Sequence, residues 1–571
     1  MLMTPFGENL DKSRVLPEYP RPQMRRESYL NLNGLWEYAI TQTNEVPEVW
    51  DGHILVPFSP ESVLSGVNRT LQPGETLWYR RSFARPEGPR VLLHFGAVDQ
   101  EAAVFVNGQQ AGYHMGGYNA FTLDITSLLR QDNTLLVRVH DDTDATCHTR
   151  GKQKTRRGGI WYTPQSGIWQ TVWMESVPES YISGLRFTPL FDESAVEVTV
   201  LSGSDAACQM QLEGRTVPLT ANRPARVPMP DFHPWSPEDP YLYDCAFTLG
   251  DDRVDGYFAM RKTEVRPDAS GTPRLFLNGK PCFHNGLLDQ GYWPDGLYTP
   301  PSDQAMIYDI QAAKKLGYNM LRKHIKVEPM RWYYHCDRLG MLVWQDMPSG
   351  GGAYRLTTIS LPLITGVHHN DHNYRAFARQ DAQGRREYLD QLREMTDQLY
   401  SVPSIVLWVP FNEGWGQFDA AAVTGMLRSW DPTRPIDHAS GWHDQGAGDF
   451  LSSHVYFKPY RFRRDKRGRA VILSEFGGYN LREKGHCFND VDFGYKKLPD
   501  QAALWQAYEK LYETQILPAI PRGLCATVYT QLTDVEDELN GVLTYDRRVV
   551  KLPEDQLRRL NRRVLAASPK A

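Results

Sequence analysis

From about residue 268 to its C-terminus the chain alternates short apolar runs with amphipathic stretches, and that alternation limits what it can fold into. Eight runs read as strands: 281–288, 319–324, 341–347, 404–411, 436–440, 450–457, 470–476 and 523–532. Continuous Val/Ile/Leu segments of this kind suit parallel strands buried on both faces. The stretch 302–317 reads as a helix, with Ser302 as its N-cap, Gly317 just past its end, and Ile307, Ile310, Ala313 and Leu316 at helical spacing. Residues 384–400 repeat the pattern with Leu389, Leu392, Met395 and Leu399. Strand and helix in alternation over 268–571 predict a (β/α)8 TIM barrel.

Two of the strands run into a carboxylate. IVLWVPFNEGWGQ (405–417) carries Glu413 at the end of strand 4, and VILSEFGG (471–478) carries Glu475 at the end of strand 7. A barrel builds its active site from the C-terminal ends of its strands, so these two side chains are expected to meet. Such a pair is what cleavage of a glycosidic bond requires: an acid for the leaving oxygen and a carboxylate for the anomeric carbon. The other Asn-Glu dipeptide, Asn44-Glu45, lies in a polar stretch with no buried strand before it. A single strand-end glutamate is as readily a capping neighbour or a surface ion pair; two amid aromatics are harder to explain that way.

The first part of the chain has a different rhythm. Residues 1–177 hold short alternating runs (90–98, 101–109, 135–143) between Gly, Asn and Pro turns, closed by GIWYTPQSGIWQTVWME at 159–175, and predict a jelly-roll-like β-sandwich. Residues 178–267 repeat the pattern on a smaller scale and predict an immunoglobulin-like sandwich. The barrel takes 268–571. Three domains fit 571 residues, too many for one core.

Composition narrows the function classes. A net charge of −5 offers no basic footprint for nucleic acid. No apolar run reaches the ~20 residues of a membrane helix, and the N-terminus has no apolar leader, so a cytoplasmic protein is expected. The seven cysteines are scattered without zinc spacing and suit reduced thiols. The run HHNDH (368–372) reads as a solvated loop, and neither a metal nor a cofactor is expected. The segment 349–381 after strand 3, with Gly350-Gly351-Gly352, is long enough to be functional or mobile.

Several segments together resemble glycoside hydrolase family 2, the family of β-galactosidases, β-glucuronidases and β-mannosidases. LNGLWEYAI (32–40), ILVPFSPESVLSGV (54–67), LWYRRSF (77–83) and GIWQTVWME (167–175) are similar to its sugar-binding domain. YFAMRKTEV (257–265) is similar to the join into the barrel, and LGYNMLRKH, CDRLGMLVWQD, WVPFNEGWGQ and ILSEFGG to the barrel signatures. The resemblance implies that Glu413 is the acid/base and Glu475 the nucleophile of a retaining mechanism, with Asn412 on the sugar 2-hydroxyl and Tyr456 bonded to the nucleophile. Arg322 is placed to hold the nucleophile's carboxylate. His324, Asp346, Asp289, Gln290 and His454 are candidates for the same mouth, with a packing role as the alternative for His324 and a turn role for Asp289 and Gln290, and Trp442 is a stacking candidate. Trp408 reads as core.

Two departures shape the expected substrate. Family β-glucuronidases carry an Asn-x-Lys pair after strand 8, whereas DELNGVLTYDRR (537–548) has Asn540 and no lysine two residues on, which argues against a glucuronide. Where many members place a Trp at the end of strand 8, this chain offers Tyr529 or Gln531. The expectation is an exo-acting β-glycosidase for a neutral sugar in a short oligosaccharide or small glycoside, with a galactoside first and a mannoside as alternative. Rival readings are a non-catalytic carbohydrate-binding protein, which has no need for both glutamates, and a metal-dependent barrel hydrolase. A homo-oligomer is compatible with the sequence.

Overall fold

The structure, a computed structural model, describes residues 2–569. Its N-terminal part is two antiparallel sheets packed face to face. One has six strands in the order 52–56, 34–41, 76–84, 132–140, 101–106, 109–115, and the other four in the order 29–31, 172–177, 90–95, 121–124. Alternation decides the packing: in Asp132–His140 the buried Leu135, Val137 and Val139 face Leu93, Phe95 and Met174 of the other sheet, while Leu136, Arg138 and His140 face outward. A second, smaller sandwich of three and four antiparallel strands follows between Ile182 and Phe258.

One segment of the first domain behaves unexpectedly. Residues 159–166, read from sequence as the closing strand, belong to a strap at about 146–166 that leaves the sandwich and crosses the barrel mouth. Within it, positive φ at Gly158 and Gly159 makes a tight turn closed by Gly158 N–H on the Trp161 carbonyl at 2.8 Å. Carboxylates of the loop after the last barrel strand then receive it: Gly159 N–H donates to Asp537 at 3.3 Å, Thr163 N–H to Glu536 at 3.0 Å, and the Tyr162 hydroxyl to Glu538. At the strap's other end, Arg150 N–H donates to the Ser349 carbonyl at 2.8 Å.

The barrel's seven laddered strands are all parallel: His284–Asp289, Met320–Lys323, Leu342–Asp346, Ile405–Val409, Phe450–Val455, Ala470–Gly477 and Leu524–Thr530. The predicted fifth strand, 436–440, is reduced to single bridges, Trp408 to Ile436 and Asn412 to Ser440. Its first ladder position is taken by a side chain, because Ile436 N–H donates to the Asp449 carboxylate at 2.7 Å. Hydrophobic residues fill the barrel from below, where the hairpin 263–281 presses Leu275 and Leu277 against Met320, Leu342, Val406 and Ile472. That plug leaves the C-terminal strand ends as the open face. Trp408 is buried on the outer wall, its indole N–H on Asp431 at 2.8 Å. The loop 349–381 holds two short helices, Leu356–Ile359 and Leu361–Thr365.

Candidate active site

Glu413 follows the fourth strand in a tight turn, with its backbone in the left-handed region at φ +51°. A side chain bears that conformation at a cost of about 1–3 kcal/mol. The turn is held by Glu413 N–H donating to the Ser440 carbonyl at 2.9 Å and by Gly414 at φ +72°. Glu475 sits within the seventh strand. One oxygen of each carboxyl and a ring nitrogen of His454 all lie within 4.8 Å of one another, and all three residues are buried.

The two carboxyls have unequal company. Glu475 accepts from Arg322 Nη1 at 3.1 Å and from the Tyr456 hydroxyl at 2.5 Å. Among the described residues, the only hydrogen-bond partner on the Glu413 side chain is His454 Nδ1, 2.7 Å from Oε1. Burial pushes Glu413 up to about 8, opposed by the charges of Lys152 and Arg322 and reinforced by Glu538. Burial also pushes Glu475 up, and an ionised Glu413 would add to that, but the Arg322 cation and the Tyr456 hydroxyl pull it back. Like charges at this range favour one proton on the pair, and the two donors on Glu475 favour its lying on Glu413.

The supporting residues fall into three groups. Arg322, Tyr456 and Asn412 join the centre: Asn412 Oδ1 accepts from Arg322 Nη2 at 2.8 Å, and Nδ2 is buried without a partner among the described residues. The indole N–H of half-buried Trp442 donates to the Glu413 carbonyl at 2.9 Å, its ring edge against His454. A second group is at the mouth but already spent on protein. Asp346 accepts from Arg322 Nε and Nη2, each at 3.0 Å, and meets His324 Nδ1 at 2.9 Å, so it holds Arg322 in place and has no lone carboxylate to offer a sugar. Asp289 accepts from Lys323 Nζ at 2.7 Å and Gly291 N–H at 2.9 Å. Gln290 donates to Gln531, which in turn donates to Asn540 at 2.7 Å, a floor of linked amides. His454, expected on the sugar, has both ring nitrogens occupied, by Glu413 and by Ser440 Oγ at 3.0 Å.

Tyr529 is the one candidate that the structure turns away. Ala526 and Val528 line the barrel interior, so strand parity sends Tyr529 outward, against Phe476 and Tyr508. The HHNDH run is less solvated than expected. Asp371 is buried and accepts Ala420 N–H at 2.9 Å at the start of the helix Ala420–Trp430, while His372 is exposed beside Asp419.

Sequence reasoning missed Lys152. It comes from the strap, is buried, and sits 3.9 Å from Glu538 with its ammonium 5.7 Å above the Trp415 ring. Among the described residues, the one hydrogen bond of its ammonium is a 3.4 Å contact to the Tyr162 hydroxyl. Nothing in the sequence near residue 152 signals this, because the strap alone carries it to the barrel. Tyr495 was missed as well; its ring stacks on Tyr456 at 3.8 Å.

Two family profiles match the chain: "Glycosyl hydrolases family 2, TIM barrel domain" over residues 274–472 and "Glycosyl hydrolase 2 galactose-binding domain-like" over 64–168. The chain belongs to glycoside hydrolase family 2. Among relatives of this family 2 chain, a β-galactosidase of Thermoanaerobacter pseudethanolicus is 24% identical over 399 residues, covering 63% of this chain and 48% of that protein. A β-glucuronidase of Bacteroides fragilis is 25% identical over 423 residues, covering 66% and 56%. The family 2 chain thus spans about half the length of these relatives. A solved β-D-glucuronidase of Dictyoglomus thermophilum superposes with a TM-score of 0.74 at 18% identity, over 96% of this chain and 98% of that one, and shares the fold.

Proposed function

We propose that the family 2 chain is a retaining, exo-acting β-glycosidase working by double displacement. The observation that carries this reading is the carboxyl pair within 4.8 Å, with two donors on Glu475 and only a histidine ring nitrogen on Glu413. Retaining enzymes place their carboxyls about 5–5.5 Å apart, leaving no room for water between them. Glu475 attacks the anomeric carbon while Glu413 gives its proton to the leaving oxygen. The bond to Glu475 removes the negative charge beside Glu413, which then takes a proton from the incoming water. Asn412 Nδ2 is the donor free for a sugar hydroxyl. The seven unpaired thiols support a cytoplasmic setting.

A neutral sugar is the first reading of substrate class, a galactoside ahead of a mannoside. Lys152 already faces Glu538, so a sugar carboxylate there would meet a second anion at close range. A β-uronide is the second reading, favoured by the unfilled donors of the Lys152 ammonium and by the β-glucuronidases among the relatives.

Azide with Glu475→Ala tests the mechanism on the best substrate of a nitrophenyl glycoside panel. The variant is expected to be inactive alone and, with azide, to form the α-glycosyl azide. A β-glycosyl azide, or a fluoro-sugar adduct on another residue, overturns the assignment.

A further inference from the structure

His454 ends the sixth strand with its ring fixed between the two carboxyls. Nδ1 lies 2.7 Å from Glu413 Oε1 and 3.5 Å from Glu475 Oε2. The ring fits because residue 441 is glycine: a Cβ there would come within 2.8 Å of Nδ1. On the far side, Nε2 meets Ser440 Oγ at 3.0 Å.

We propose that His454 is a positioning residue that holds the acid proton of the free protein: Nδ1 accepts the Glu413 O–H, while Nε2–H is tied to Ser440. This rests on reading Glu413 as the acid/base.

The polarity follows from the hydroxyls behind the ring. Ser452 Oγ donates to Asp437 Oδ2 at 2.8 Å and so spends its only hydrogen there, which makes Ser474 Oγ, 2.6 Å away, a donor to it. Ser452 is left to accept from Ser440 across 3.5 Å. Ser440, having given its hydrogen inward, accepts from Nε2–H. A neutral imidazole has one N–H, so Nδ1 is left with a bare lone pair, and only a protonated carboxyl matches it.

The surroundings keep the ring neutral. Burial drives it down to about 4, and the Arg322 cation adds to that, against the pull of Glu475 and Asp346. His324 also faces it, and Lys152 and Glu538 face Glu413 from the strap and the last loop. Tyr456, the remaining titratable neighbour, is tied to Glu475. A neutral acceptor favours the protonated form of Glu413. When Glu413 has passed its proton to the leaving oxygen, the same lone pair faces a carboxylate and makes it a stronger base. The water then yields a proton to Glu413 and its oxygen to the anomeric carbon, and Glu475 departs as carboxylate.

The test is the pH profile of kcat/KM on a glycoside with a poor leaving group. His454→Phe keeps the ring volume and removes the acceptor. Its alkaline limb is expected to move acidward by about one pH unit, tenfold in proton affinity. Ser440→Ala touches neither carboxyl. It frees the ring to carry its proton on Nδ1 and donate to Glu413, so its limb is expected to move the same way, and the double variant no further than His454→Phe alone. Should His454→Phe fail to fold, Ser440→Ala decides. Limbs left at the wild-type pH overturn the proposal. If Glu413→Gln still abolishes the limb in that case, the acid assignment survives; if the limb persists in Glu413→Gln, that assignment has failed instead.

Discussion

Arg322 Nη1 donates to Glu475 Oε1 across 3.1 Å, and the same guanidinium binds both oxygens of Asp346 at 3.0 Å. One fully buried cation thus serves two buried carboxylates. Removing it leaves both uncompensated, which costs about 3–5 kcal/mol. Arg322→Met is therefore expected to lower the thermal midpoint by several degrees and to move the acid limb of kcat/KM upward, since Glu475 loses a cation that favours its charged form. An unchanged midpoint and acid limb would show that the triad does not carry the charge of the site.

Lys152 decides between the two substrate readings. On the neutral-sugar reading, the nitrophenyl glucuronide is the poorest of the panel and Lys152→Met lowers kcat/KM for neutral glycosides by a hydrogen bond's worth, about tenfold. On the uronide reading, wild type prefers a uronide, and Lys152→Met loses at least about a hundredfold on it, as expected for a charge-assisted bond, while neutral glycosides change little. A preference for uronides that survives Lys152→Met would mean that another cation receives the carboxylate.

Stability should depend on pH through Glu413. Its folded pKa, about 8, lies above its unfolded value. A carboxyl raised in this way contributes stability that is fully present below the unfolded pKa and is lost as pH rises through the folded one. Glu413→Gln does not titrate. Its thermal midpoint is expected to match wild type near pH 5 and to exceed it increasingly toward about pH 9, with a ceiling of about 5 kcal/mol. A midpoint difference that stays flat over this range would contradict a buried, proton-holding Glu413.

Much of this was legible in the chain, and the exceptions share a cause. Glu413 and Glu475 stood out because apolar runs long enough to be buried strands lead into them, and barrel geometry then brings such ends together. Arg322, at another strand end, follows from the same logic, whereas Asn412 and Tyr456 came from the resemblance to the family. Lys152 did not, because its place depends on Asp537, Glu536 and Glu538 capturing a strap hundreds of residues earlier in the chain. Tyr529 was misjudged by one step of strand parity. Asp346 and His454 were placed at the right mouth, but whether a polar side chain is free for substrate depends on partners from other strands, which sequence order does not reveal.

The central claim is that Glu413 cycles a proton for a leaving group displaced by Glu475. It is tested most directly by comparing two leaving groups in Glu413→Gln, which keeps the shape of the acid without its proton. A glycoside whose leaving oxygen needs protonation is expected to lose most of its kcat/KM. A dinitrophenyl glycoside leaves unaided, so its first step should survive, the glycosyl-enzyme should accumulate with a burst, and the alkaline limb near the Glu413 pKa of about 8 should vanish. If both leaving groups slow equally and the limb remains, Glu413 is not the acid and the account fails at its centre.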